Sequence, residues 1–149
     1  MIAVIQRVSS SSVKVEGEIV GQIGKGLNIL LGVKKGDTSE DMLKLVNKIV
    51  NLRIFQDEND KMNLSLLDVK GEVLIISQFT LAGNIKKGRR PSFDDSEKPD
   101  IANKLYEEFV QEVSTQGVKT QTGEFGAMMD VQINNDGPVT FIIDSKELN

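Results

Sequence analysis

The sequence predicts an α+β fold in which largely antiparallel, curved sheets form a barrel-like structure and two helices pack on one face. Short runs rich in β-branched residues recur along the chain and predict many strands. Glycine-containing turns join most of these runs, and such turns favour hairpins and therefore antiparallel pairing. Only two segments have the three- and four-residue spacing of an amphipathic helix. Two helices covering one face of a mostly antiparallel sheet are typical of the α+β class.

The N-terminal part of the chain predicts a series of strands. Residues 2–8 alternate apolar and polar side chains, which is typical of a half-buried strand. Residues 12–16 and 18–23 flank Gly17 and are predicted to form a hairpin. Residues 27–33 are mostly apolar and indicate a buried strand.

Two helices are predicted, each from one apolar stripe. Thr38 is suited to the N-cap of the first helix, and Asp41 three residues later completes a capping-box pattern. The second helix is predicted over residues 99–114, because Pro99 suits a first helical turn and Gly117 favours a C-terminal stop. The predicted buried stripes are Met42, Leu45, Val46, Ile49 and Leu52 in the first helix, and Ile101, Leu105, Phe109 and Val113 in the second.

The remaining strands are predicted from shorter signals. A short strand is expected at residues 53–55, and the strongest strand of the chain is expected at residues 73–79. Three more strands are expected at residues 118–121, 128–133 and 139–144. Most of these strands are close neighbours in the sequence, which again favours hairpins.

The composition excludes several kinds of chemistry. The 149 residues include no histidine and no cysteine, so neither an imidazole nor a thiolate can act as catalyst or metal ligand. We expect no metal and no cofactor. The formal net charge of −4 argues against a general nucleic-acid coat, which needs a basic surface. No domain linker, membrane-length apolar run or signal-peptide pattern is visible, so we expect a single domain over residues 1–149, in the cytoplasm and without a membrane partner.

The first candidate site lies at the end of the strongest predicted strand, at Ser77, Gln78, Phe79 and Thr80. A strand that becomes polar at its end exposes its last backbone N–H groups, which can stabilise a developing oxyanion. Thr80 is a candidate nucleophile or orienting hydroxyl, although a nucleophilic threonine normally needs an adjacent base. An ordinary strand end followed by a turn explains the same residues, and the pattern alone favours that interpretation.

The second candidate site is the Gly137-Pro138 pair. Residues 134–137 have the composition of a turn, and the pattern alone favours a simple hairpin between the last two strands. A cis peptide bond at this pair would instead aim the Gly137 carbonyl outward, where it could bind an ammonium group. Arg7, in the first predicted strand, is either an exposed strand charge or a guanidinium that holds a nearby carbonyl in place.

Cations and aromatic residues are concentrated in and around one loop. The cations are Lys86, Lys87, Arg89 and Arg90. Charge alone favours a solvated loop, and the alternative is a contact surface for RNA phosphates. Phe79, Phe93 and Phe125 are either core residues or, near the basic loop, platforms on which a nucleobase stacks. Met128 and Met129 are most simply strand-packing residues.

A series of short segments, spread over nearly the whole chain, matches the pattern of a known family. The segments are 3–8, 32–33, 51–55, 61–65, 77–81, 88–93, 122–123, 125–127 and 135–140. Each segment alone is weakly specific, but the ordered set is highly specific. Through this set the chain resembles the D-aminoacyl-tRNA deacylases of the widespread bacterial and eukaryotic type. It departs from many members at Asn84 and Met128, which lie outside both candidate segments.

The resemblance implies the reaction and the assembly. The substrate is a D-aminoacyl-tRNA, and the reaction is hydrolysis of the ester between a D-amino acid, or glycine, and the 3′-terminal adenosine. The resemblance also implies an obligate homodimer with active sites at the subunit interface. Each site combines one subunit's pocket with a Gly-cis-Pro pair that reaches across from the other subunit.

The resemblance also implies roles for residues at matching positions. Ser77, Gln78, Phe79 and Thr80 line the catalytic pocket. Gly137 and Pro138 capture the α-amino group and exclude L side chains, and Arg7 orients that pair. We assign Phe93 and Met129 to substrate binding as well. The tRNA-binding residues are Lys86, Lys87, Arg89 and Arg90.

Two mechanisms remain open from the sequence. The absence of histidine favours a reaction in which backbone amides near Phe79 and Thr80 stabilise the oxyanion and the adenosine 2′-OH helps to activate water. The alternative makes Thr80 the nucleophile. The alternative function is a non-catalytic nucleic-acid-binding module. A general esterase is disfavoured because the chain has no Gly-x-Ser-x-Gly motif.

Overall fold

The computed structural model describes residues 1–149 and contains eight strands and three helices. The strands are β1 (Ile2–Val15), β2 (Glu18–Ile23), β3 (Gly26–Gly32), β4 (Phe55–Gln56), β5 (Met62–Leu64), β6 (Glu72–Ser77), β7 (Lys119–Thr122) and β8 (Asp130–Asp144). The helices are α1 (Ser39–Asn51), α2 (Leu66–Val69) and α3 (Pro99–Thr115), and 3₁₀ turns cover Phe79–Ala82 and Ser145–Glu147.

The main sheet is mixed, and β1 is its central strand. β1 pairs antiparallel with β2, β3 and β8, whereas β3 with β6 and β6 with β7 pair in parallel. The parallel pairs form because long connections containing α1 and α3 carry the chain back before each following strand. The predicted α+β class and barrel-like sheet are confirmed. The two parallel pairs of strands were not predicted, because hairpin signals in the sequence indicate only antiparallel pairs.

A close backbone approach helps the sheet to curl into a nearly closed barrel. β2 passes near β6 and β7, although it pairs with neither. A Cβ atom on Gly21 of β2 would lie 2.4 Å from the carbonyl oxygen of Thr122 in β7. Only glycine allows this contact, because any side chain would push β2 away from the opposite strand.

Two apolar clusters fill the two faces of the main sheet. Alternate residues of a strand point to opposite faces. Val73 and Ile75 of β6 accordingly belong to a large cluster of 24 buried residues, whereas Leu74 and Ile76 belong to a small cluster of five. The large cluster contains the buried faces of α1 and α3, so the helices cover one face of the sheet as predicted.

The helices follow their predicted stripes with small differences. In α1 the buried set includes Met42, Leu45, Val46 and Ile49, whereas Leu52 is only half-buried. The inclusion of Ile101 in the second stripe is wrong, since its side chain is 42% exposed. The buried residues of α3 begin at Ala102 and recur at helical spacing, which places Ile101 to the side of the stripe. None of the helices has the length and apolar character needed to cross a membrane.

The prediction of two separate strands near the C-terminus is wrong. Residues 130–144 form the single strand β8, and residues 128 and 129 lie before it. The long strand β1 offers a pairing edge to both halves of β8, so no hairpin turn is needed between them. The short strand expected at residues 53–55 is displaced to Phe55–Gln56, where it pairs with β5.

The short helix α2 and the strand β5 were not predicted. The Ser65 hydroxyl accepts a hydrogen bond from the Asp68 N–H at 3.1 Å, and the Asp68 carboxylate accepts one from the Ser65 N–H at 2.8 Å. This capping box stabilises the single turn of α2. Four residues are too few for an apolar stripe to appear in the sequence.

Candidate active site

The first candidate segment leaves the sheet at the end of β6. Ser77 is the last residue of β6, and the N–H of Gln78 donates to the Leu31 carbonyl of β3 at 2.8 Å. The backbone then enters the 3₁₀ turn Phe79–Ala82. This change of conformation brings Phe79 and Thr80 to the surface, while Ser77 and Gln78 are half-buried.

The 3₁₀ turn leaves its first backbone N–H groups without a hydrogen-bond partner. The first N–H groups of a helical turn have no partner within the turn. Here these groups belong to Phe79 and Thr80, which are both exposed. The two amides are therefore placed where they can donate to a negatively charged oxygen.

The Thr80 hydroxyl is bonded to an amide and not to a base. Gln78 Nε2 donates a hydrogen bond to Thr80 Oγ1. No carboxylate or amine forms a hydrogen bond or ion pair with Ser77, Gln78 or Thr80. Nothing in the single chain activates this hydroxyl as a nucleophile.

Phe79 and Phe93 form an aromatic pair beside the turn. Their ring centroids are 5.1 Å apart in an edge-to-face arrangement. Phe79 is 56% exposed and Phe93 is 38% exposed, so neither ring is a core residue. A Cβ atom on Gly83 would lie 3.0 Å from Phe93 Cε1, so the glycine leaves room for the ring to lie against the turn.

Met129 and Phe125 lie in the segment between β7 and β8. Met129 packs on the small apolar cluster, which contains Ile76, the residue immediately before Ser77. Met129 is half-buried, and its Sδ would lie 2.6 Å from a Cβ atom on Gly123. Phe125 packs against Tyr106, with ring centroids 5.9 Å apart, and is therefore a packing residue.

The second candidate segment is a bulge in β8 and not a hairpin turn, which corrects the turn interpretation. Val8 of β1 is paired with Asn135 and Gln6 with Thr140, so residues 136–139 lie opposite Arg7 alone. We call residues 136–139 the Gly-Pro bulge. An insertion of this size in one strand leaves the ladder and projects from the sheet.

The Gly-Pro bulge exposes its central pair. The Gly137-Pro138 peptide bond is cis, and both residues are exposed. Gly137 has a φ of 128°, a conformation that is strained for any residue with a side chain. A Cβ atom there would also lie 2.7 Å from Val139 Cγ2.

Arg7, on the paired strand β1, holds the first residue of the Gly-Pro bulge. Its side chain is buried, with 5% exposure for the residue. Arg7 Nε donates to the Asp136 carbonyl at 3.3 Å and lies 3.3 Å from the Asp136 carboxylate. Arg7 Nη1 donates to the Ile54 carbonyl at 2.8 Å. The guanidinium thus links the bulge to the segment that leads into β4.

Three side chains for which the sequence predicted no role close the base of the Gly-Pro bulge, although they lie in segments that match the family. Asn135 Nδ2 donates to Thr140 Oγ1 at 2.9 Å, and Asn135 Oδ1 accepts from the Val139 N–H at 3.1 Å. Gln6 Nε2 donates to the same Thr140 hydroxyl at 3.3 Å. Their role depends on the pairing of β1 with β8, which no local sequence signal reveals.

The two candidate segments lie apart within one chain. Gln78 lies near Gly32, which is paired with Ile2 of β1, whereas the Gly-Pro bulge lies opposite Arg7. Ile2 and Arg7 are five positions apart along β1, which corresponds to about 17 Å. No hydrogen bond joins the two segments, so a single chain does not bring them together.

The basic residues lie on a loop that follows the 3₁₀ turn. Backbone hydrogen bonds of 2.7 Å and 2.9 Å between Asn84 and Ser92 close this loop. All four cations are exposed, and none lies in a salt bridge. The loop therefore presents unpaired positive charge beside the first candidate segment. No group of three or more Asp, Glu, His or Cys side chains is arranged to hold a metal ion.

Comparison with known proteins identifies the relatives of this chain. The family model described as D-Tyr-tRNA(Tyr) deacylase matches residues 4–144. A protein of Persephonella marina named D-aminoacyl-tRNA deacylase is 66% identical over 148 residues, covering 99% of this chain and 100% of the relative. A protein of Aquifex aeolicus with the same name is 62% identical over 148 residues, with the same two coverages.

Solved structures of similar proteins share the fold. One, titled c-Myc DNA Unwinding Element Binding Protein, has a TM-score of 0.91 and 39% identity, covering 97% of this chain and 98% of the other. Another, titled as a probable eukaryotic D-amino acid tRNA deacylase, has a TM-score of 0.83 at 20% identity, with 96% and 98% coverage. The second likeness supports the fold alone.

The barrel-like fold and the named relatives together define an enzyme of the deacylase class. Within this class, the chain belongs to the D-Tyr-tRNA(Tyr) deacylase family.

Proposed function

We propose that this protein, as a single domain of residues 1–149, hydrolyses the ester between a D-amino acid, or glycine, and the 3′-terminal adenosine of tRNA in the cytoplasm. Family membership supports the reaction, since relatives above 60% identity carry the name D-aminoacyl-tRNA deacylase. The observation that carries the proposal for the site is the exposed 3₁₀ turn, whose first amides can receive an oxyanion.

The chemical step relies on backbone groups and on the substrate. An aminoacyl ester is already activated, so stabilisation of the tetrahedral oxyanion by the Phe79 and Thr80 amides supplies much of the catalysis. One such donor contributes about a hundredfold or more to the rate. The adenosine 2′-OH helps to activate the attacking water, because no carboxylate or amine is hydrogen-bonded to Thr80. Phe79, Phe93 and Met129 surround the substrate.

Selectivity for the D enantiomer relies on the Gly-Pro bulge. The exposed Gly137 and Pro138 carbonyls accept hydrogen bonds from the substrate α-amino group, and the rigid backbone leaves no room for an L side chain. Glycine, which has no side chain, passes the same test. Arg7 supports this role because it fixes the Asp136 carbonyl next to the pair.

A homodimer brings the two segments together. The outer edge of β8 has no partner strand, and Ile142 and Phe141 on this strand are 71% and 41% exposed. An open edge with exposed apolar side chains is a surface on which another chain can pack. The separation of the two segments within one chain also supports the dimer, because the Gly-Pro bulge of one subunit can then enter the pocket of the other.

The basic loop binds the tRNA. Its four cations have no acidic partners, so they are available to phosphates. The loop directly follows the turn that carries Thr80, and phosphates near the 3′ end of the tRNA lie within its reach. The overall charge of −4 does not oppose this contact, because the cations are concentrated on one loop.

One assay tests the proposed reaction. Purified protein is mixed with D-tyrosyl-tRNA, L-tyrosyl-tRNA and glycyl-tRNA, and deacylation is measured in single turnover. We expect rapid loss of the D and glycyl esters and survival of the L ester. Cleavage of the L ester with survival of the D ester would contradict the proposal.

A second candidate function is nucleic-acid binding without catalysis. It is favoured by one observation, the 39% identical structure whose title describes a DNA-binding protein. The same assay separates the two functions, because a binding module hydrolyses none of the three esters. Binding of DNA by a protein that also cleaves D-tyrosyl-tRNA would show that the two functions coexist.

A further inference from the structure

We infer that Asn135 and Thr140 form a clasp that positions Gly137 and Pro138, and that this clasp sets the selectivity between D- and L-aminoacyl esters. This inference deepens the proposed function and rests on it. The two residues are defined as positioning residues, because neither is expected to touch the reacting atoms.

The Gly-Pro bulge has little else to hold its far end. Its first residue, Asp136, is held by Arg7 through the contacts at 3.3 Å. Its central pair is exposed and projects from the sheet. Its last residue, Val139, donates its N–H to Asn135 Oδ1 at 3.1 Å. The bulge is therefore fixed at its start by Arg7 and at its end by the Asn135 side chain.

The side chain of Asn135 both donates and accepts a hydrogen bond at the end of the bulge. Its carbonyl oxygen accepts from Val139, and its amide nitrogen donates to Thr140 Oγ1 at 2.9 Å. Because an asparagine has both a donor and an acceptor on one short side chain, it can join the two residues that follow Pro138. Without the Asn135 side chain, Arg7 is the only side chain that holds the bulge to the sheet, and it holds only Asp136.

Gln6 connects the clasp to the rigid part of the sheet. Its Nε2 donates to the Thr140 hydroxyl at 3.3 Å, and Gln6 is the residue of β1 paired with Thr140. The Thr140 hydroxyl therefore receives hydrogen bonds from both strands. This hydroxyl therefore fixes the position of the bulge relative to β1, the central strand of the sheet.

The geometry explains why a small displacement at this place matters. A backbone gate can reject one enantiomer only if its carbonyls are held within a fraction of an ångström of their productive positions. Loss of one hydrogen bond from the clasp lets the end of the bulge move while the fold remains. We therefore expect the clasp variants to lose selectivity between D- and L-aminoacyl esters while their melting temperatures change little.

The experiment compares clasp variants with a matched neighbour. Asn135→Ala and Thr140→Val each remove one side of the clasp, and Thr140→Ser keeps the hydroxyl. The control is Asn134→Ala, since Asn134 Nδ2 also donates across to β1, to Ser10 Oγ at 2.6 Å, but lies outside the bulge. Each variant is assayed in single turnover with D- and L-tyrosyl-tRNA, and its melting temperature is measured.

We expect Thr140→Val to lower the ratio of D to L rates about tenfold, the effect of losing the hydrogen bond from Asn135. Asn135→Ala, which also releases the Val139 N–H, should lower the ratio at least as much. The double variant should lower the ratio by less than the product of the two single effects, because both single variants already remove the Asn135–Thr140 hydrogen bond. Thr140→Ser and Asn134→Ala should keep the wild-type ratio. Equal loss of both rates, or an unchanged ratio in Asn135→Ala, would overturn the clasp.

Hydrogen exchange gives a second measurement that does not depend on activity. The Val139 N–H should exchange faster in Asn135→Ala than in the wild type. Exchange of the paired N–H groups of the other strands should not change. Unchanged exchange would overturn the clasp even if selectivity falls. A wild-type protein that spares D-tyrosyl-tRNA overturns the proposed function together with the role in selectivity, whereas an active wild type with insensitive variants overturns the clasp alone.

Discussion

The Thr80 hydroxyl accepts a hydrogen bond from Gln78, and no carboxylate or amine is bonded to it. Thr80 lies in the 3₁₀ turn next to Phe79 in the sequence, and the Phe79 ring packs on Phe93. At this scale the site offers hydrogen-bond donors and apolar contacts, and it lacks a group that could take a proton. The side chain of Thr80 is therefore expected to orient the substrate and not to attack it.

This view predicts a modest effect of Thr80→Ala. Loss of one neutral hydrogen bond lowers a rate about tenfold or less. The measurement is the single-turnover rate of D-tyrosyl-tRNA deacylation, with Thr80→Ser as the control that keeps the hydroxyl. A fall of several hundred-fold in Thr80→Ala, with activity retained in Thr80→Ser, would instead identify Thr80 as the nucleophile.

The sequence reveals some of these residues and not others, for a physical reason. Thr80 and Gly137 stand out because polar residues after an apolar strand and a Gly-Pro pair are local signals. Asn135 and Gln6 lie in segments that match the family, but their side-chain roles were not predicted, because those roles arise from the register of β1 against β8. The hairpin interpretation of residues 134–137 failed for the same reason, since turn composition also suits a bulge.

The basic loop and α1 show what single elements contribute. The loop is closed by the Asn84–Ser92 hydrogen bonds and carries charge without acidic partners. Helix α1 was well predicted because its cap and its stripe are both local signals. The parallel pairs of the sheet were not, because they depend on how helical connections return the chain.

Charge reversal in the loop should weaken tRNA binding. The double variant Lys86→Glu, Arg89→Glu removes two phosphate contacts, so we expect lower affinity and a flatter dependence of log Kd on log salt, by about one unit of slope per contact. The control is Lys48→Glu, Lys104→Glu, which changes the net charge equally on exposed helix faces. Equal affinity of both double variants would show that the loop is only a solvated surface.

The start of α1 should make stability sensitive to acid. Burial raises the pKa of the Asp41 carboxyl, but hydrogen bonds from the Thr38 amide, Lys146 and Ser145 outweigh burial and hold that pKa well below its usual value. A lowered folded pKa means that the unfolded chain takes up the proton first. This contribution to stability is present above about pH 4, the pKa in the unfolded chain, and is lost as the pH falls below it.

Urea unfolding at several pH values between 7 and 3 checks this expectation. Asp41→Asn should be less stable than the wild type at pH 7 and should lose less stability between pH 5 and 3. The matched control is Asp100→Asn, which alters an exposed carboxyl in the first turn of α3. The same pH dependence in Asp41→Asn and the wild type would contradict the assignment.

For the whole molecule, the question is how two distant segments cooperate. The 3₁₀ turn follows a strand end that lies near Ile2 of β1, whereas the Gly-Pro bulge lies opposite Arg7, about 17 Å further along β1. The open edge of β8 and its exposed apolar side chains offer a surface for a second copy. Catalysis and assembly are therefore expected to depend on each other.

A substitution on β8 tests this dependence. Ile142→Lys places a charge on the 71% exposed apolar position, so we expect a monomer by analytical ultracentrifugation and a large loss of D-tyrosyl-tRNA deacylation. Leu43→Lys, at a 48% exposed position on α1, should remain dimeric and active. An active monomer from Ile142→Lys would show that one chain contains a complete site.

If the amides of Phe79 and Thr80 perform the proposed catalysis, this has a practical consequence for inhibition. A main-chain N–H cannot be alkylated or acylated by the usual covalent probes, and iodoacetamide and diethyl pyrocarbonate find no cysteine or histidine in this chain. Inhibitors must therefore imitate the charge and shape of the reacting ester, as a non-hydrolysable D-aminoacyl amide of adenosine does.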